Sequence, residues 1–318
     1  MAVARDEAAL ALLEAGLDGP ERSRSSYWER ERNEFTIDAT GRFEGATVLG
    51  MVSRKRGLAH TLAHRILQTP HLWMGRRFPA NGECQRLARV IAARQGRQTT
   101  LDFVRQALAL AFIRAHVSLD RTDEASLVIG DGFGVMTALL LLALPKRRVV
   151  LANLTKPLLL DLVNVRKSVP GVSLALVSSA AEMDEALARA DLRLIAVRAD
   201  DSGLIQRAPI GLAVSMASMQ EMNPPVVAEY FRILRTNPAE RTAFYCANRM
   251  WKKLYDGTEV RFDDYPWRAG DQVLYDGPVP WEELHYDKKP PFWFHRPGGQ
   301  KAMRLRLAFL EKDRGDDP

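Results

Sequence analysis

Two cysteines in 318 residues, Cys84 and Cys246, are too few and too far apart for a disulfide framework or a cysteine-based zinc cluster. They fit a reducing, cytoplasmic setting. No apolar run approaches the roughly 18 residues that a membrane span needs, and mean hydropathy is −0.20. A secretory leader is not expected either. The first twenty residues mix Asp6, Glu7 and Glu14 into their apolar stretch, as an amphipathic helix does. Internal repeats and low-complexity tracts are missing. These absences exclude a secreted scaffold, a transmembrane protein and a disordered chain. What is left is a globular protein with room for one large domain or two ordinary ones.

Charge is unevenly spread. Residues 1–118 hold 18 Lys and Arg against 12 Asp and Glu, which accounts for the whole net charge of +6. Clusters stand at Arg54-Lys55-Arg56, at Arg76-Arg77 and between Arg86 and Arg97. A basic region of this kind fits an anionic partner, whether a nucleotide-linked substrate, a phospholipid surface or nucleic acid, and fits equally a solvated helical surface. His60 and His64 share the i, i+4 spacing of a metal pair, with His71 nearby. No Glu follows His60 and no third ligand is indicated, so no metal site is expected.

Up to residue 118 the apolar periodicity is mostly helical. Short apolar runs then alternate with helical stretches: Ser126 to Ile129, Arg148 to Ala152, Val172 to Val177, Leu192 to Val197, Pro209 to Val214 and Thr242 to Ala247 read as strands. Alternation on this scale predicts a doubly wound, parallel, Rossmann-like α/β domain over 119–318, preceded by a mainly helical region over 1–118. That first region would cover an acceptor or mediate dimerisation. The tail beyond 255 reads as irregular structure over one edge of the sheet.

Gly130, Asp131, Gly132 and Gly134 follow the first of these strands and open a helix. The spacing suits a tight turn that brings backbone amides against a bound ligand. It is not a P-loop, since no Lys-Ser/Thr follows the last glycine. Two ligands compete, a dinucleotide and S-adenosylmethionine. Asp131 favours the second, because a carboxylate there would meet an ammonium and repel a pyrophosphate. The second strand ends in Asn153 and Leu154, where an acidic ribose ligand is usual, so an uncharged amide would have to serve.

Ser218-Met-Gln-Glu-Met222, Phe244-Tyr-Cys-Ala-Asn-Arg249, Asp256-Gly257 and Asp264-Tyr-Pro-Trp267 follow the loop in this order. Over roughly residues 125–310 the chain resembles the bacterial sugar O-methyltransferase family, a branch of the S-adenosylmethionine-dependent class I methyltransferases. The resemblance implies that the glycine loop holds the methionine end of the cofactor, with Asn153 and Leu154 at the ribose and Asp200 or Asp201 near the adenine. Ser215 stands where the family often has Asn. On the acceptor side the resemblance implies Gln220, Tyr245, Asn248, Arg249, Tyr265 and Trp267. The acceptor it implies is a sugar hydroxyl on a nucleotide-linked or lipid-linked glycan precursor.

A hydroxyl attacking a methyl sulfonium needs alignment and a base. Glu221 follows the predicted strand Pro209 to Val214 at the sheet's ligand-binding edge and is the first candidate; the same carboxylate would equally serve backbone donors ahead of Pro224-Pro225. His285 is the second candidate. Arg249, Lys252 and Lys253 would grip a phosphate or carboxylate, although both lysines read more simply as a solvated helix face. Tyr265, Trp267 and Trp281 would stack on a sugar or simply pack. A nucleic-acid acceptor is disfavoured because Asn223-Pro-Pro is followed by Val226 and not by a stacking aromatic. A divergent member that only binds a cofactor or partner is the remaining alternative, supported by Asn153 and Ser215.

Overall fold

A computed structural model describes residues 3–38, 40, 42–45, 57–287, 289–295, 299 and 302–313. The N-terminal part forms β1 (Ala4–Arg5), α1 (Asp6–Ala15), α2 (Ser26–Glu31), β2 (Phe35–Ile37), β3 (Phe43–Gly45), α3 (Leu58–Leu67), α4 (Thr69–Met74), α5 (Asn81–Arg94) and α6 (Leu101–His116). Strands and helices then alternate through β4 (Ala125–Ile129), α7 (Val135–Ala143), β5 (Arg148–Asn153), α8 (Thr155–Ser168), β6 (Leu174–Val177), α9 (Ala180–Ala188) and β7 (Leu194–Arg198). The series ends with β8 (Ile210–Met216), α10 (Pro224–Thr236) and β9 (Thr242–Arg249). Beyond it come β10 (Trp251–Lys253), β11 (Glu259–Arg261), β12 (Gln272–Pro278), β13 (Leu284–Tyr286), β14 (Trp293–His295) and β15 (Met303–Leu310).

Nine strands form one sheet in the order β1-β6-β7-β5-β4-β8-β9-β15-β12. The six from β4 to β9 are mutually parallel, while β1, at one edge, and β15 run antiparallel to their neighbours. The doubly wound α/β fold is therefore present. Its strands carry near-continuous apolar sequence because both faces are covered. Period-two alternation sends Val128, Val149 and Leu151 to one face, packed with α5, α6, α7 and α8. Leu127, Ile129, Val150 and Ala152 go to the other, against α9 and α10. Helices α5 and α6 of the N-terminal part thus share one continuous core with the sheet.

The tail corrects its sequence reading. It does not lie irregularly over the edge but adds β15 and β12 to the sheet beside β9. In β15, Leu305 and Leu307 face the core while Arg304 and Arg306 reach Asp276 on β12. Arg235 locks this tail to α10. Its guanidinium holds both oxygens of Asp271 at 2.7 and 3.0 Å, with both side chains almost fully buried, and also donates to the carbonyls of Glu311 and Pro266. Arg235→Met should leave Asp271 buried without its counter-ion and cost about 3–5 kcal/mol, read as a lowered urea midpoint.

Candidate functional site

The first strand β4 hydrogen-bonds β5 on one side and β8 on the other. The chain therefore leaves the C-terminal ends of β4 and β8 in neighbouring loops, at the crevice where open α/β sheets bind their ligands. The loop after β4 holds Gly130, Gly132 and Gly134 at φ +67°, +85° and +65°, a left-handed conformation that side chains disfavour. A Cβ on Gly130 would stand 2.1 Å from Ser218 Oγ in the loop after β8. The two loops meet only because that position is glycine.

Two carboxylates brace the glycine loop. Asp131 accepts from the backbone amides of Met136 and Thr137 at 3.0 and 2.7 Å, capping α7. Asp161, wholly buried on α8, accepts from Gly134 N at 2.9 Å and from Asn153 Nδ2 at 2.8 Å. Burial raises the pKa of both carboxyls, and the nearby charge of Asp131 lifts Asp161 further. Asp131 therefore serves the helix end that a pyrophosphate would need, and it also lines the cleft. Asn153 lines the cleft, but its amide is tied to Asp161 and to Leu154 N. Sequence reasoning passed over Asp161, although it is the sole charge inside the apolar run from Leu158 to Val163.

The loop opens into a cleft of about 730 Å³, within the range of small-molecule sites. Gly130, Asp131, Gly132, Asn153 and Leu154 line one end. Gln220, Glu221, Arg249 and His285 line it as well, so these expected residues are brought together. Glu221 pairs with Lys252 at 2.7 Å, and the two side chains are only 14% and 12% exposed. The Lys252 ammonium also lies 3.5 Å from the centre of the Tyr27 ring. Burial raises the Glu221 pKa and lowers that of Lys252, while their attraction opposes both shifts. Lys252 is thus no part of a solvated helix: it lies on β10 and faces the cleft, whereas Lys253 is exposed. Arg249 is half-buried, and its guanidinium makes no hydrogen bond or ion pair with the described residues.

Other expected residues stand elsewhere. Asp200 accepts from the backbone amides of Arg22 and Ser23, and Asp201 pairs with Arg198; neither lines the cleft. Ser215 and Asn248 are fully buried, and Asn248 accepts from Gln220 N and approaches Cys246 Sγ. Tyr245 and Trp281 are core residues of one sheet face, packed around Phe112. Tyr265 and Trp267 pack with Phe231 and Phe262 on the other. All four are taken up in packing, Tyr245 from strand β9 and the others from the segments between strands, so none is placed to stack on a ligand in the cleft. The cluster Arg54-Lys55-Arg56 and the His60 side chain lie outside the described residues. His64 bonds the Tyr286 hydroxyl and His71 the Leu284 carbonyl, and among the described residues no group of three His, Cys, Asp or Glu side chains is arranged for a metal.

The N-terminal part supplies a further stretch of the wall. Ser23, Tyr27 and Trp28 come from a strap pinned across the sheet edge, and Arg97, Asp102, Phe103, Arg105 and Gln106 from the start of α6 and the turn before it. Arg97 lies over the Phe133 ring at 4.1 Å, and burial pulls its pKa down to about 10. Arg105 pairs with Glu282 at 2.9 Å and donates to the carbonyls of Trp281 and Leu284, stapling the His285 segment to α6.

No protein-family model matches this chain, and no curated protein is similar to it. Among solved structures it is similar to a putative O-methyltransferase from Nostoc punctiforme, at 11% identity and a TM-score of 0.37 over 94% of this chain and 92% of that one. An O-methyltransferase family 2 protein from Planctomyces limnophilus, in complex with apigenin, matches at 13% and 0.37 over 95% and 92%. The pyocyanin biosynthetic protein PhzM matches at 15% and 0.38 over 65% of this chain, which spans only 56% of PhzM. Similarities of this size carry no assignment, so what the chain does is read from its cleft.

Proposed function

We propose that the chain is an S-adenosylmethionine-dependent methyltransferase acting on a sugar hydroxyl of a nucleotide-linked or lipid-linked glycan precursor. One observation carries the reading: a single cleft joins the braced glycine loop to a largely buried carboxylate, Glu221, and to Arg249, a cation with no ion-pair partner among the described residues. The residues fit this cofactor better than a dinucleotide. Asp131 already fills the N-terminus of α7, which leaves no seat for a pyrophosphate and a negative charge beside one. The bare glycine backbone leaves room for a ligand to lie against the loop. When bound, the cofactor supplies a methyl group on a positively charged sulfur, displaced in line by the acceptor oxygen.

The chain's own work is alignment and proton removal. Gly130, Gly132 and Gly134 would hold the methionine end, and Asn153 with Leu154 would border the ribose. Arg249 would bind an anionic group on the acceptor, fixing its orientation. Glu221 would take the hydroxyl proton on its carboxylate. A base whose pKa is raised by burial holds that proton more firmly once taken, and Lys252 keeps the carboxylate ionised beforehand. His285 borders the same cleft, stacked with Phe294, and is the second candidate for the proton.

Calorimetric titration should show micromolar binding of S-adenosylmethionine and none of NAD; binding of neither, or of NAD alone, would overturn the reading. Gly130→Ala should abolish the cofactor heat by driving a methyl group into Ser218, while the thermal midpoint stays within a few degrees of the parent's. With a nucleotide-sugar acceptor, the rate should rise with pH through a midpoint above the usual carboxylate value of 4.5, because the ionised form of Glu221 is the active one. Glu221→Gln should remove that limb and cut turnover roughly 10²-fold or more. Lys252→Met should move the limb to higher pH by taking away the counter-charge.

A further inference from the structure

Helices α3 and α4 present the wrong face to water. The joining residue, Gln68, is itself helical, and its backbone continues the hydrogen bonding from His64 to Leu72. His64, Leu67 and His71 point inward and are buried. The outward stripe holds Leu62, Ile66 and Trp73, at spacings of four and seven residues. Solvent faces of helices are normally polar. Phe292 and Trp293 stand exposed on the adjoining hairpin of β13 and β14, whose Trp293 indole N–H donates to the Leu67 carbonyl at 2.8 Å. These five side chains are between 42% and 67% exposed, and they are most of the exposed large hydrophobics among the described residues.

Arginines surround the stripe. Arg65, Arg76, Arg77, Arg86 and Arg89 are exposed, and none has an acidic partner among the described residues. Arg65 and Arg89 border one small cavity of about 330 Å³ between α3, α5 and α6. Burial and the like charges of Arg65 and Arg86 lower the Arg89 pKa, so these cations crowd one another. On α3, α4 and α5 the sole acid is Glu83, and it is paired with Arg114. Five arginines without an acidic partner among the described residues therefore gather at an exposed apolar stripe.

We propose that this face docks on an anionic phospholipid surface. Exposed tryptophan and aliphatic side chains rimmed by unpaired arginines have the composition of an interfacial helix: the apolar stripe enters the headgroup boundary and the cations meet lipid phosphates. A second copy of the chain fits less well, because a two-fold contact would set the same unpaired arginines against each other. The face is also coupled to the cleft. On the hairpin that carries Trp293, Tyr286 bonds His64 of α3 and the joining residue Gln68, while the adjacent His285 lines the cleft. Docking is independent of methyl transfer and is tested without it.

The test is co-sedimentation of the full chain with vesicles of phosphatidylglycerol and phosphatidylcholine, compared with phosphatidylcholine alone. The chain should pellet with the anionic vesicles at low ionic strength and be released as salt rises. Arg65→Glu with Arg89→Glu should weaken this roughly tenfold or more. Ile66→Gln with Trp73→Gln should weaken it too, with an unchanged circular-dichroism melt. Failure to pellet at low salt would overturn the proposal, as would pelleting that neither double variant alters. A concentration-dependent dimer in sedimentation velocity, lost in the Ile66→Gln, Trp73→Gln chain and accompanied by no vesicle binding, would assign the face to a second copy instead.

Discussion

The cleft depends on Asp161. A loop of three left-handed glycines has little to hold its shape, since glycine gives up more conformational freedom on ordering than any other residue. Here one oxygen of Asp161 takes the Gly134 amide and the other takes the Asn153 side chain. A single buried carboxylate thus ties the end of β4's loop to the end of β5. Gly134 can come this close because it has no Cβ: one would lie 2.6 Å from the Asp161 carbonyl. Asp131 completes the brace by capping α7. The arrangement places two carboxylates near each other and raises the pKa of both, a cost repaid only while the amides they bind stay in place.

A second set of polar contacts roofs the cleft. Glu21 accepts from both the amide and the hydroxyl of Thr155, capping α8 from 134 residues away. Asp200 takes the amides of Arg22 and Ser23, and Ser25 donates to the Glu221 carbonyl. Tyr27 stacks on Tyr255 with its ring beneath Lys252. The strap is fastened to the loops that follow β5, β7 and β8, which are C-terminal loops on which a site in this fold is built, and to the turn between β10 and β11. The N-terminal part is therefore integral to the site, and Tyr27 packs against the lysine that pairs with Glu221.

Much of the fold was legible in the sequence because fully buried parallel strands leave uninterrupted runs such as Ser126 to Ile129, and because the glycine loop has to follow one of them. The C-terminal strands were harder to see. Arg304 and Arg306 make Met303–Leu310 look polar until they are matched with Asp276 across the strand pair. The site was legible in part. Glu221, Gln220, Arg249, His285 and the loop line one cleft, whereas Tyr245, Asn248 and Ser215 fall inside the sheet, where a one-residue change of position along a strand reverses the face. Asp200 looked like a ligand and is an anchor. A carboxylate that accepts two backbone amides from a distant segment has no signature in its own neighbourhood.

Charge balance explains why Arg249 stands out. Around the cleft Arg105 answers Glu282, Lys252 answers Glu221, and the Asp131 carboxylate is spent on helix amides. Arg65, Arg76, Arg77, Arg86 and Arg89 of the N-terminal region lie outside the cleft, whose own lining mixes acids and bases. In such a setting the half-buried Arg249 guanidinium, which makes no hydrogen bond or ion pair with the described residues and acts on Glu221 only through space, is a large local feature, since desolvation strengthens whatever it meets. If Arg249 binds the acceptor as proposed, one bearing a phosphate or carboxylate would give the guanidinium a direct ion-pair partner that a neutral one would not, and selectivity would follow from that difference.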